Sequence, residues 1–208
     1  MRKYAFVLIA AMVCLLGACQ TARTEPPPHT RPGTAAKEGL ATLKHVVNAS
    51  NYVALGFTSP EEVRQATLGE PMQIFGVRLD ALSKFTGQAS PDTLLVDTRR
   101  SLFPVSVGER VATSIFVTHA KDGWRANELG NAAVAQLVSR YRHGPTDFIV
   151  HVPALKAWFV ADRVEGTLIL TPVMDDPRTG FKAGERLGAT AAFLKLQAAA
   201  EGYNGFPQ

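Results

Sequence analysis

Polar and apolar positions change period several times along this chain, and each change marks an element. In "AAKEGLATLKHVVNAS", Leu40, Leu43 and Val47 recur at helical spacing, which predicts an amphipathic helix over 35–50. "SPEEVRQATLG" carries helix punctuation: Ser59 as N-cap, Pro60 at the first helical position, Glu62 three residues after Ser59, and Gly69 as a stop. Alternation over 72–79 predicts a strand. Further on, "TLLVDT" and "SLFPVSV" read as two short strands, and Pro104 places the second at a sheet edge or bulge. "RVATSIFVTH" alternates over a long stretch with Val111, Thr113, Ile115 and Val117 on one face, and "AKDGW" supplies an Asp-Gly hairpin turn. Val134, Leu137, Val138 and Tyr141 then line one side of a helix over 131–142, stopped by Gly144-Pro145.

The same order comes again. "DFIVHV", "KAWFVADR" and "TLILTPV" read as strands, and "GATAAFLKLQAAAEG" as a helix whose buried side carries Ala189, Ala192, Phe193, Leu196 and Ala200. The segments 94–142 and 147–202 are thus two βββα-like halves, alike in order but not in residues. The expected class is α+β: an antiparallel meander sheet packed with amphipathic helices, in a single domain over 35–208.

The N-terminus is of another kind. Met1-Arg2-Lys3 is followed by an uncharged apolar run from Tyr4 to Ala18, shorter than the ~20 residues a membrane helix needs and matching a secretory signal peptide over 1–18. Leu16-Gly17-Ala18-Cys19 resembles the bacterial lipobox. That resemblance implies a diacylglyceryl group on the Cys19 thiol, cleavage before Cys19, and acylation of the new amine. With Gln20 rather than Asp after the cysteine, it also implies the outer membrane in a host that has one. Residues 19–34 then read as the lipidated cysteine and a Pro/Thr-rich tether, reaching on the order of 45 Å at about 3.1 Å per residue.

Cleavage changes the composition. Of 22 basic residues, Arg2 and Lys3 leave with the leader, so 20 stand against 18 acidic ones and the net charge falls from +4 to +2. Nothing in that balance points to nucleic acid. Cys14 also leaves, so no disulfide is available and packing must hold the fold.

The segment with the densest chemistry is "MDDPRTGFKAGERL", 174–187. Asp176, Arg178, Lys182 and Arg186 there are candidates for holding an anion or a peptide; the plainer reading is a solvated connection whose charges pair with one another. Asp175 and Asp176 are too few, and point too differently, for a cation loop. His45, His119, His143 and His151 form no ligand spacing, so no metal is expected; His119 and His151 are the two a sheet could bring together. No G-x-S-x-G elbow or phosphate-binding loop occurs, and no catalytic residue or cofactor is assigned. Trp158 precedes Phe159 on a strand, so the two face opposite sides, and the outer one is a candidate partner contact. "LFPVSV" would offer a free edge for strand addition.

The function expected from these features is a lipid-anchored envelope lipoprotein. Its membrane contact runs through the Cys19 anchor, and its folded part is a non-catalytic binding module for an envelope protein, peptide or glycan. Two alternatives stay open. One is a hydrolase, which needs a Ser or Asp brought to His119 or His151. The other is a small-ligand carrier, which needs an apolar cavity between sheet and helices.

Overall fold

The computed structural model describes residues 31–201; the leader, Cys19 and most of the tether lie outside the described residues. The alternating segments become strands β1 (Thr67–Leu68), β2 (Met72–Val77), β3 (Leu95–Val107), β4 (Arg110–Ala120), β5 (Gly123–Leu129), β6 (Phe148–Val152), β7 (Ala157–Val164), β8 (Thr167–Pro172) and β9 (Leu187–Gly188). The helices are α1 (Pro32–Val46), α2 (Leu79–Leu82), α3 (Ala132–Arg140) and α4 (Ala189–Glu201). All nine strands join one sheet in the order β5-β4-β3-β2-β6-β7-β8-β9, with β1 also on β3. The fold is α+β, and its pairs are antiparallel except β2 with β6, where Ile74 lies opposite Ile149.

That parallel pair organises the molecule. β2 and β6 start side by side at the centre, and the two meanders run outward from them in opposite directions. Helices accordingly cover both faces. One face carries Met72, Ile74, Leu102, Phe116, Ile149 and Val160 against Val138 of α3. The other carries Phe103, Val105, Ile115 and Val117 under α1, and Val150, Val152, Phe159, Leu168 and Leu170 under Phe193 and Leu196 of α4.

Three local expectations are corrected. The two short strands around residue 100 are one strand, β3, bent by a bulge: Ile74 faces Arg100 while Phe75 faces Asp97, leaving Thr98 and Arg99 without opposite residues. An Asp97 carboxylate that accepts the Arg99 N–H at 2.7 Å closes the bulge. Of the edge or bulge that Pro104 suggested, the edge is excluded, because β3 pairs with β4 on one side and with β1 and β2 on the other, while the β3–β4 register shifts just after it, between Val105 and Ser106. The Pro104 carbonyl accepts the Gly69 N–H at 2.8 Å, so its nitrogen faces the same side, into the break between β1 and β2 where a ladder donor is dispensable. Finally, the 59–69 helix shrinks to a 3-10 turn over Glu62–Gln65. Ser59 does accept the Glu62 N–H at 3.3 Å, but Glu62 turns to the Thr58 N–H and to Arg110, and the chain then extends so that Thr67 and Leu68 pair with β3.

Candidate functional site: a groove across the sheet between α1 and α4

α1 lies close on β4 and β5 because Gly39 has no side chain: a Cβ there would stand 2.8 Å from the Ala126 methyl and 3.0 Å from Ile115. α4 covers β6 to β8 on the same face. Between these helices β2 presents an exposed Gln73 and a half-buried Phe75. Two cavities open there, of about 690 and 510 Å³, and both are lined by Gln73 and Ser101, so they form one groove. It runs across the strands from Trp124 on β5 to Arg163 on β7. Five inter-strand spacings make that about 24 Å.

The groove differs along its length. At the α1 end, Pro32, His119, Trp124, Arg99 and Asp97 surround the opening, and Arg100, also in the lining, pairs with Glu128 at 3.1 Å. In the middle, Ser101 is only 8% exposed, and its hydroxyl has no hydrogen bond among the described residues. Beyond Gln73 the floor turns apolar: Phe75 meets Phe148 edge to face at 5.1 Å, with Leu95 beside them. The far wall is an ion pair, Arg163 with Asp92, whose hydrogen bond holds the Asp92 carboxyl below its ordinary value and raises that of Arg163. The adjoining loop is fastened by buried Asp147, which accepts the N–H groups of His143 (2.7 Å) and Gly144 (3.1 Å). Arg142 adds bonds to the carbonyls of Glu70 and Gly144. A buried carboxylate with two donors makes a rigid wall, which suits a site more than a free loop does.

The charged residues singled out in 174–187 are engaged with neighbours. Arg178 forks onto Asp176 at 2.9 and 3.0 Å and donates to the Leu155 carbonyl, so Asp176 is held below the ordinary carboxylate range and Arg178 is raised. Lys182 lies 3.5 Å from Asp175, and Arg186 pairs with Asp162 at 2.7 Å. Each candidate cation therefore has a carboxylate partner, and an incoming anion would have to compete with it. Trp158 stands apart from these pairs.

Trp158 stacks on His151 across β6 and β7, with ring centres 3.8 Å apart, on the face that α3 shares. Phe159 is buried on the opposite face, against Phe181. His119 pairs instead with Trp124 across β4 and β5, at 5.0 Å, and lines the groove. The two histidines therefore lie on opposite faces and do not meet. Burial first, and the Arg100 charge second, push His151 down from 6.5 to about 4. Its folded value is below its unfolded one, so the fold is favoured while the ring is neutral in both states. As pH falls from about 6.5 to about 4, the unfolded chain takes up a proton that the fold refuses. A loss of about 1–2 kcal/mol is expected across that window, discounted for the partial exposure of the ring. Urea unfolding at several pH values will show it, and His151→Phe will flatten the slope; an unchanged slope would contradict the assignment.

A further cavity, of about 710 Å³, lies at the other end of β2 and is lined by Val77, Leu79, Val96, Pro153 and Ala200. Among the described residues no cluster of three or more His, Cys, Asp or Glu could hold a metal, and no helix is long and apolar enough to cross a membrane.

Gln73, Ser101, Arg99 and Phe148 carried no motif in the sequence. The one trace was the polar break "DTRR" at 97–100 inside an apolar run, which is the bulge. Comparison with known proteins finds no matching family model, no matching curated protein and no matching solved structure.

Proposed function

We propose that this is a lipid-anchored cell-envelope lipoprotein, held in the outer membrane through Cys19, whose folded part is a non-catalytic binding module for an envelope protein, peptide or glycan. The groove over β2 is where that ligand sits. The observation carrying this reading is the groove's lining, which sets aromatic rings, hydrogen-bonding side chains and a paired charge along one face of the sheet. A photo-crosslinking residue at Gln73 is expected to capture a discrete adduct in cells. The same residue at Val53, which is 69% exposed and outside the groove, is expected to capture none. Equal capture at both positions, or none at Gln73, would remove the groove from the proposal. Protease or muramidase sensitivity of the adduct separates polypeptide from glycan.

The hydrolase reading has one observation in its favour, that Ser101 and His119 line the same cavity. No hydrogen bond joins them, and no carboxylate orients His119 among the described residues. An activated serine needs both. The expected result with a fluorophosphonate probe is no labelling at Ser101; labelling that disappears in Ser101→Ala and His119→Ala would replace the binding module with an enzyme.

A further inference from the structure

We propose that the Pro-rich tether of this chain docks into its own groove, with residues 23–30 lying across the sheet as an extended strap that any other ligand has to displace. As regulation of the groove this rests on the groove binding such a ligand; the docking itself is tested without one. Three observations carry it.

The first is where the chain enters. Residues 23–30 lie outside the described residues, which begin at Arg31. Arg31 is extended (φ -133°, ψ 141°), and Pro32 beside it lines the α1 end of the groove with His119 and Trp124. The tether therefore joins the folded part at the mouth of the groove. A segment attached there has an effective concentration on the order of millimolar, with no second molecule to bring in.

The second is register. A proline run holds the polyproline II form, which rises about 3.1 Å per residue. Pro28, Pro27 and Pro26 stand four to six residues before Pro32, about 12–19 Å along such a chain. β2 and β6 are three and four strand spacings in from β5, about 14 and 19 Å. Those two strands carry Phe75 and Phe148, the apolar floor. The proline run thus falls on the aromatic pair. Glu25, seven residues before Pro32, comes at about 22 Å, close to β7 at about 24 Å. There it meets Arg163, whose side chain is 47% exposed in its pair with Asp92.

The third is chemistry. Polyproline II segments dock in aromatic-lined grooves, because their rings pack on aromatic faces and the preformed helix loses little entropy. Proline has no N–H, so the run offers acceptors and needs donors beside the rings. The Gln73 side chain, in the lining of both cavities, supplies an amide donor next to Phe75 and Phe148. Under the anchoring proposed above, the docked strap leaves only residues 19–22 between lipid and groove, about 12 Å; release restores residues 19–30, about 37 Å. A ligand that takes the groove therefore lengthens the reach of the folded part.

The test uses the full-length protein in detergent at high dilution. A photo-crosslinking residue replaces Thr146, which is exposed in the lining of the larger cavity. The expected product is an intramolecular link to residues 24–27, found by mass spectrometry of the digest, with none from the same residue at Val53. Such a link adds no partner's mass, so it is distinct from the adduct expected in cells. A labelled free peptide with the sequence of residues 20–31 gives a second readout. Pro26→Gly, Pro27→Gly and Pro28→Gly together free the groove without touching the described fold. They are expected to tighten binding of the free peptide about tenfold or more over the unchanged chain. In that glycine background, Gln73→Glu keeps the size of an exposed side chain but removes its donor, and about tenfold weaker peptide binding is expected; Phe148→Ala is expected to act alike. Equal peptide binding to the unchanged and glycine chains would overturn the strap and leave the groove a site for proline-rich segments. No link from Thr146 to the tether, or peptide binding indifferent to Gln73→Glu and Phe148→Ala, would overturn the tether as occupant, and capture at Gln73 in cells would still decide whether the groove binds a partner. Links found only at the mass of a dimer would give the groove to the tether of a second copy and overturn the intramolecular strap.

Discussion

Gly56→Ala is expected to destabilise the fold by about 3–5 kcal/mol, a large share of the ~5–15 kcal/mol typical of a domain. Gly56 sits at φ 87°, where a side chain is strained, and the added Cβ would lie 2.1 Å from the Ala112 carbonyl oxygen and 2.7 Å from the Ala132 methyl. Neither neighbour yields easily: Ala112 is buried in β4 and Ala132 opens α3. The carbonyl of Gly56 also accepts from Arg110 at 3.0 Å, and the loop it ends delivers Phe57 to the core. The backbone penalty is of order 1–3 kcal/mol and the overpacking another 1–3. Gly108→Ala is the control. It shares the positive φ (57°) but has nothing within 4 Å of its new Cβ, so it is expected to lose only about 1 kcal/mol. Urea unfolding of the two variants separates strain from clash; equal losses would show that the loop around Gly56 shifts freely.

Cys19→Ser is expected to release the protein completely from the membrane fraction and to abolish incorporation of a palmitate analogue, under the anchoring proposed above. The thiol is the atom the lipid requires, and several acyl chains together hold far more tightly than the marginal binding of one. The thermal midpoint of the folded part is expected to stay unchanged, since the sheet already has both faces covered by buried clusters that α1, α3 and α4 complete. Fractionation, labelling and circular dichroism on one preparation check all three. Retention in the membrane would assign the anchor elsewhere, and a lost midpoint would make the anchor part of the fold.

The elements most legible in the sequence are those whose packing repeats a local period. β4 alternates Ile115 and Val117 against Phe116 because both of its faces are covered by helices, and α4 places Ala189, Ala192, Phe193, Leu196 and Ala200 inward at helical spacing. The α+β class and the βββα order came from these. Less legible were features that depend on a neighbour far away in the chain. Pro104 reads as an edge or bulge signal; it is accommodated inside the sheet because β1 and β2 break opposite it, with a register shift following at Val105 and Ser106. "DTRR" reads as the end of a strand, yet pairing with β2 carries β3 through it as a bulge.

Composition and pattern alone gave the α+β class and most of the element order, because helix and strand periods and turns are properties of neighbouring residues. The tertiary structure decided the rest. The charges of 174–187, conspicuous in one dimension, are paired with Asp175, Asp176 and Asp162 in three. The groove gathers Gln73, Arg99, Ser101, His119 and Phe148 from four strands, and of these His119 alone stood out in the sequence. Their meeting depends on β2 lying parallel beside β6 and on α1 and α4 leaving Gln73 of β2 exposed between them. Strand order and helix placement are set by burying apolar surface across the whole chain, and no local period encodes which distant segments will share that burial.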